Sequence, residues 1–287
     1  MGIWKKIMPY VLHMRPLSWP TFLIHMGVGF AFADGFKMGF NAILIFLAGW
    51  FIWVILLNSG TLTFNSYYDK DTGSVMWLNK PPKLPKHLLL FSWILFIFGL
   101  VLSHFINFRF FIAYLIFFVL AVMYSHPLIR LKAIPGVDAL VNGIGYGSLT
   151  VYAGWALADK ALNPTGYLLL LAMFFAFMAL YPITQFYHYE EDLRRGDKTL
   201  TIWIGKKRAL SLFFILATIS FVLLFYGAIK KYFPHYIFFL IFIYIYLGKL
   251  YLGWYSNMNG VDEKKMMYKI AGIALAIDIW LIVSVLI

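Results

Sequence analysis

Long apolar runs separated by short polar connections dominate this sequence. A helix needs about 20 mostly apolar residues to cross a bilayer, and nine runs approach or exceed that length. They lie at about 17–34, 40–64, 88–104, 108–124, 138–158, 164–186, 208–227, 235–253 and 269–287. We therefore predict an all-α fold, a polytopic membrane bundle of about nine transmembrane helices, with residues 1–287 forming a single domain.

The composition agrees with this pattern. Of the 287 residues, 62% are hydrophobic and only 13% are charged, whereas soluble domains carry about 25% charged residues. A membrane β-barrel would instead show short segments of alternating polarity. The chain has no cysteine, which excludes disulfides, thiolate metal sites and a cysteine nucleophile.

The net charge is +12, and the distribution of the Lys and Arg residues among the connections indicates the membrane topology. Eighteen of the 24 Lys and Arg residues lie in the amphipathic N-terminal segment and the longer polar connections, against five in the opposite set of connections. Cytoplasmic loops are enriched in these residues. We therefore expect a cell-membrane protein whose N-terminus and acidic loops are cytoplasmic and whose C-terminus is outside. Contact with the lipid bilayer, and not with nucleic acid, accounts for the charge.

Residues 65–73, the first acidic segment, follow the second apolar run. Asn65 and Asp69 are four residues apart and share one helical face. Asp71 joins them only if the helix has ended, which Gly73 makes plausible. Such oxygen ligands suit Mg²⁺, which keeps several waters and accepts substrate phosphates as further ligands. The alternative is a solvated helix end whose acids face water.

Residues 185–200, the second acidic segment, follow the sixth run. Gln185, His188 and Asp192 fall on one helical face. The neighbouring charged residues are Glu190, Glu191, Asp197, Arg194, Arg195 and Lys198. Acids for a metal and cations for oxyanions, beside an apolar bundle, are the chemistry of diphosphate binding. Either segment alone is more often an ordinary loop, but the pair favours a site.

Together, the two segments resemble the UbiA superfamily of intramembrane prenyltransferases, and the resemblance covers nearly the whole chain. The family's first motif, N-D-x-x-D-x-x-x-D, is matched by Asn65 and Asp69, with Ser66 and Gly73 departing from it. Its second motif, D-x-x-x-D followed by Gly and Thr-Leu, is matched at Asp192, whereas His188 stands where an Asp is common. Further matches are Arg15-Pro16, Gly196, Thr199-Leu200, Asn79-Lys80-Pro81, Tyr124-Ser125, Arg130-Leu131-Lys132, Asp138, Asn142, Tyr146-Gly147 and Gly154-Trp155.

This resemblance implies a UbiA-like domain around a central lipid-open cavity, where an isoprenoid chain moves from its diphosphate to an acceptor. It implies Mg²⁺ as the cofactor, with ligands drawn from Asn65, Asp69, Asp71, Glu191 and Asp192. Catalytic roles are expected for Asp69, His188, Asp192 and Tyr146. Substrate-binding roles are expected for Asn58, Asn65, Lys80, Arg130, Lys132, Asn142 and Lys198. Interhelical packing is an equal alternative for Asn58, as is a positive-inside role for Lys132, and for Asp138 a helix cap is the alternative to a cavity role.

Two other functions stay open at this stage. A terpene cyclase of the same fold would need no acceptor. The departures from the family's acidic motifs at Gly73 and His188 are compatible with this function. A transporter or lipid-binding protein would use the acids as an ion site, although transporters favour broken helices near the midplane. Asp278, an acid inside the last run, is a functional candidate by its position, whereas His25 is expected at a helix interface. Neither the acceptor nor the prenyl chain length follows from the sequence.

Overall fold

A computed structural model describes residues 3–70 and 73–287, and all the regular elements in that part of the chain are helices. We label the longer ones in chain order. They are α1 Ile3–His13, α2 Trp19–Phe32, α3 Phe40–Asp69, α4 Leu88–His104, α5 Phe108–Ser125, α6 137–157, α7 Pro164–Thr184, α8 Tyr189–Arg195, α9 Leu200–Ile204, α10 Lys206–Ile229, α11 His235–Ser256 and α12 Glu263–Leu286. The prediction of an all-α fold is confirmed.

The predicted membrane runs all coincide with helices. Within the described residues, α3, α5, α7, α10, α11 and α12 are long and apolar enough to cross a membrane. Of the other three runs, α4 has 17 residues, α2 has 14, and α6 changes its hydrogen-bond pattern midway. The chain is thus a multi-pass membrane protein by helix length and composition, and the number nine stays a prediction.

Helices α3 and α6 each contain a π-helical segment, Phe51–Asn58 and Gly143–Leu149. Such segments are rare and often accompany functional sites. These two are joined across the bundle: the Tyr146 hydroxyl donates to Asn58 Oδ1 at 3.2 Å, and Trp53 Nε1 donates to Thr150 Oγ1 at 3.3 Å. The irregular parts of α3 and α6 therefore lie side by side.

The crossing of α2 and α6 requires glycine on both helices. A Cβ atom on Gly29 would lie 1.8 Å from the Val151 carbonyl oxygen, and one on Gly154 would lie 1.9 Å from that of Met26. Small residues allow this backbone approach in membrane helices. Around this contact, α2, α3, α5, α6, α7 and α12 surround a central cavity, to whose wall α4, α10 and α11 contribute no residue.

Candidate active site

The central cavity has a volume of about 320 Å³, and most of its charged residues lie at one end. The polar end lies where α3, α5 and α7 finish and where α6 and α12 begin. Its side chains include Asn65, Asp69, Lys132, Asp192, Arg195 and Asp197. Farther in, the wall carries Phe22, Phe117, Tyr146 and Phe177. The cavity can thus hold an anionic group at its mouth and an apolar chain below it.

The first acidic segment is presented by the last turn of α3. Asn65 Oδ1 accepts hydrogen bonds from Lys132 Nζ at 2.7 Å and Ser125 Oγ at 2.9 Å. Asp69 forms an ion pair with Lys132, and its Oδ1 lies 3.7 Å from Arg130 Nη2. The cations that balance this segment therefore come from the connection between α5 and α6.

The second acidic segment completes an alternating series of charges. Asp197 accepts from Arg130 Nε and Nη2, both at 3.0 Å, and lies 3.3 Å from Arg195 Nε. Arg195 also pairs with Asp192. The order Asp69, Arg130, Asp197, Arg195, Asp192 therefore joins two segments that lie more than 100 residues apart in sequence. Through this network the two segments meet at one end of the cavity and form one candidate site.

Asp192 is the buried acid of this network. Burial raises the pKa of its carboxyl to about 6, the Arg195 guanidinium opposes the rise, and the negative charges of Asp197 and Asp69 add to it. A carboxylate that is desolvated and repelled by two others gains from a bound cation. The electrostatic effect of Asp69 on Asp192 also indicates that the two motifs face one site.

Asp138 holds the second acidic segment from below. Its Oδ2 accepts from Gln185 Nε2 at 2.6 Å and from the Leu200 amide at 2.9 Å. Gln185 Oε1 in turn accepts from the Thr201 amide at 3.0 Å. Asp138 is fully buried and is absent from the cavity wall. It thus holds both ends of the segment in place. This role differs from the two that the sequence predicted, a cavity position and a helix cap.

The donor set at the mouth fits Mg²⁺. Asn65, Asp69, Asp192 and Asp197 supply only oxygen atoms, which hard divalent cations prefer. In the part of the chain that the structure describes, no three Asp, Glu or His side chains form a compact metal cluster. This arrangement suits an ion that keeps waters and takes phosphate oxygens as ligands. Asp71, a predicted ligand, lies outside the described residues.

Several predicted site residues lie away from the cavity wall. Lys80 and Lys198 are exposed, and neither lines the cavity. Asn58 is buried behind Tyr146, to which it is hydrogen-bonded, so it occupies the packing position that the sequence allowed. Glu191 lies beside Gly73, where a Cβ atom would be 3.0 Å from Glu191 Oε2. An Asp at position 73 would meet this carboxylate.

The remaining predicted residues do lie on the wall. They are Asn65, Asp69, Lys132, Asn142, Tyr146, His188 and Asp192. Arg130 contacts both acidic segments from beside the wall. The Nδ1 atom of His188 is 3.9 Å from Glu191 Oε2, and its ring lies against Tyr187.

Four residues on the cavity wall had no specific role assigned to them from the sequence. Arg15, which is 7% exposed, lines the cavity, and its match to a family motif was the available signal. Arg195 and Asp197 were noted only as neighbours of the acids. Asp278, a functional candidate with no predicted partner, also lines the cavity, and its partner is His25.

Comparison with known proteins identifies the family. The model of the UbiA prenyltransferase family matches residues 19–273. Digeranylgeranylglyceryl phosphate synthase of Thermococcus kodakarensis is 32% identical over 190 residues, which is 63% of this chain and 64% of that protein, just under two thirds of its length.

Solved structures show the same fold. A UbiA homolog from Archaeoglobus fulgidus, solved with GPP and Mg²⁺, has a TM-score of 0.73 and 22% identity over 97% of this chain and 100% of that one. A digeranylgeranylglyceryl phosphate synthase structure has a TM-score of 0.71 and 21% identity over 98% and 99%. The chain belongs to the UbiA prenyltransferase family.

Proposed function

We propose that this protein is an Mg²⁺-dependent prenyltransferase that moves an isoprenoid chain from its diphosphate to an acceptor inside the membrane. The observation that carries the proposal is the charge network at the mouth of a cavity whose deeper wall is mostly apolar and aromatic. A long hydrocarbon with an anionic head matches both parts. The relative solved with GPP and Mg²⁺ supports this choice of ligand and metal.

The mouth binds the diphosphate through its cations. Lys132, Arg130 and Arg195 now balance carboxylates and can turn their N–H groups toward phosphate oxygens, which form strong charge-assisted hydrogen bonds. Asn65, Asp69, Asp192 and Asp197 would hold Mg²⁺. Bound there, the ion neutralises the diphosphate and stabilises it as a leaving group.

The cavity below the mouth protects the allylic cation that forms when the C1–O bond breaks and the electron pair leaves with the diphosphate. The Tyr146 ring stacks on Phe22 with centroids 5.1 Å apart and meets Phe117 edge-on at 5.3 Å. Phe177 also stacks with the Tyr146 ring, with ring centroids 6.3 Å apart. Aromatic faces attract cations, and a dry pocket prevents capture by water.

The acceptor that we propose is a phosphate-bearing alcohol of the glyceryl phosphate type. The name of the Thermococcus relative supports this class, because its product carries prenyl groups on glyceryl phosphate. Arg15, a buried cation on the cavity wall, offers a counter-charge for a second anionic group. A cyclase of the same fold would instead consume the diphosphate alone.

Incubation of the purified protein with labelled geranylgeranyl diphosphate and Mg²⁺, with and without geranylgeranylglyceryl phosphate, tests this proposal. We expect release of diphosphate coupled to an acceptor-dependent prenyl ether. Diphosphate release with a cyclic hydrocarbon and no acceptor would establish a cyclase. Absence of diphosphate release under both conditions would favour transport or lipid binding.

The proposed orientation places the cavity mouth, with both acidic segments, in the cytoplasm and the C-terminus outside. The excess of Lys and Arg on that side supports it. Since the chain has no native Cys, Lys83→Cys and Lys231→Cys, both at exposed positions, can be compared in intact cells. An impermeant thiol reagent should label only Lys231→Cys, and labelling of Lys83→Cys alone would reverse the orientation.

A further inference from the structure

An ion pair that the proposed mechanism leaves unused lies farther along the cavity wall. His25 of α2 and Asp278 of α12 meet with Nδ1 and Oδ2 2.9 Å apart. His25 is 1% exposed, and its Nε2 is 3.0 Å from the main-chain oxygen of Tyr146 on α6. Asp278 itself lines the cavity. An acid inside a membrane helix is costly to bury, and such residues are functional candidates by default.

The hydrogen bonds locate one hydrogen of this pair. A carbonyl oxygen can only accept, so His25 Nε2 must carry a hydrogen. The contact between Nδ1 and Oδ2 then contains one proton, held by the imidazole or by the carboxyl group. Asp278 Oδ1 makes no hydrogen bond with any residue that the structure describes. Because Asp278 lies on the cavity wall, Oδ1 is the atom available to a ligand.

The pair lies at a depth where substrates would meet. Asn58, which accepts from the Tyr146 hydroxyl, precedes Asp69 by 11 residues on α3, or about 16 Å of helix. The pair is therefore about three turns below Asp69, on the part of the wall that the first prenyl unit of a bound substrate would reach. Other polar side chains on this part of the wall include Arg15, Thr21, Thr61 and Tyr146, whereas α7 presents Phe177 and Leu180.

We propose that Asp278 is the catalytic base that removes the proton of the acceptor, with His25 as its positioning residue. This inference rests on the proposed function. The C1–O bond of the prenyl diphosphate breaks, and its electron pair leaves on the diphosphate. The acceptor hydroxyl oxygen forms the new bond to C1, and its proton passes to Asp278 Oδ1. The His25 Nδ1 hydrogen bond keeps Oδ2 engaged and turns Oδ1 toward the cavity.

Asp278→Asn tests the base, because it keeps the size of the side chain and its hydrogen bond to His25. We expect kcat for prenyl transfer to fall about 100-fold or more, since general bases contribute about 100- to 10,000-fold. Binding of the unreactive geranylgeranyl thiodiphosphate with Mg²⁺ should stay within about twofold of wild type, since Oδ1 does not hold the diphosphate. Ser284→Ala, on the same helix but off the cavity wall, is the matched control and should change neither quantity.

Two results with the Asn variant would overturn the proposal. One is a kcat within threefold of wild type. The other is loss of kcat and of analogue binding together in a protein that keeps the wild-type melting temperature, which would make Asp278 a binding residue for the prenyl diphosphate and not a base.

If Asp278→Asn does not fold, Asp278→Glu decides, because it keeps a carboxylate on a longer arm. A lowered kcat with wild-type analogue binding and a displaced pH–rate profile supports the base, whereas a wild-type kcat and profile overturns it. His25→Gln should displace the limb of the pH–rate profile that reports ionisation of the base, without weakening the binding of the thiodiphosphate analogue. Failure of wild-type protein to prenylate any alcohol would instead contradict the proposed function itself.

Discussion

The two acidic segments meet at one candidate site but are held in place by different forces. The first ends α3, a helix of 30 residues, so its position follows from that of the helix. The cations that balance it, Lys132 and Arg130, lie in the connection between α5 and α6. The second lies on the seven-residue α8 and carries its own Arg195.

The difference shows what supports each half of the site. A short helix has little stability of its own, so the second segment depends on the buried hydrogen bonds from Asp138 and Gln185. The first segment needs no such anchor. The two halves should therefore respond alike to loss of their acids and differently to loss of their supports.

Loss of an acid from either segment should have the largest effect. Asp69→Asn and Asp192→Asn each remove one charge from the proposed Mg²⁺ ligands. Turnover should fall at least about 100-fold. Loss of a residue that only hydrogen-bonds a metal ligand already lowers activity by up to about 100-fold, and loss of a ligand should cost no less. Glu190→Gln, at an exposed position of the second segment, is the control. Near-wild-type turnover in Asp69→Asn would remove the first segment from the proposed site.

Loss of the Asp138 anchor should disturb the second acidic segment and leave the first one in place. Asp138→Ala leaves the Leu200 amide and the Gln185 side chain without their acceptor, which costs about 1–3 kcal/mol per buried group. We expect a lower melting temperature and faster proteolysis within 185–200. Ser125→Ala, which removes one bond from the first segment, should cost about 1 kcal/mol or less. Equal protease sensitivity in both variants would contradict the distinction.

Substitutions of Arg130 and Lys80 compare a cation that contacts both acidic segments with a cation on the surface. Arg130 contacts both Asp69 and Asp197, so Arg130→Met should raise KM for the prenyl diphosphate about tenfold, equivalent to about 1.4 kcal/mol. Lys80→Met should leave KM unchanged, because Lys80 is exposed and lies off the cavity wall. An equal rise in both variants would show that the 73–87 connection reaches the diphosphate.

The second segment should also titrate near neutrality. Burial raises the pKa of Asp192 to about 6, and Mg²⁺ binding requires the deprotonated carboxyl. The apparent Mg²⁺ affinity of the wild-type protein should therefore be steady above pH 7 and weaken as the pH falls through 6. Asp192→Asn should bind Mg²⁺ weakly at every pH and lose this step. Calorimetric titrations at pH 5.5 and 7.5 measure the difference, and a pH-independent affinity in wild type would contradict it.

The smallest effect is expected where the segments touch. Gly73→Asp introduces a carboxylate close to Glu191, whose Oε2 would lie 3.0 Å from the new Cβ atom, and like charges repel. We expect a change in the Mg²⁺ requirement of about two- to threefold, which Glu191→Gln in the same chain should reverse. If the double variant retains the defect of the single one, the backbone at Gly73 and not the charge is responsible.

The sequence by itself determined the membrane helices and indicated the two acidic segments as the candidate site. Twenty apolar residues have few alternatives to a membrane span, and the i, i+4 spacing of Asn65 and Asp69 defines a helical face without tertiary contacts. His25 at a helix interface and Asp278 as a candidate for function were also predictable, because a polar residue within an apolar run is conspicuous.

Only the tertiary structure decided which charges meet. Arg130 joins acids that are 61 and 67 residues away, and Asp278 pairs with a histidine 253 residues away. Such pairs depend on helix order and rotation in the bundle, which apolar periodicity does not determine when lipid and core are equally apolar. For the same reason the sequence treated Lys80, Lys198 and Arg130 alike, although packing exposes the first two and places Arg130 between the acids.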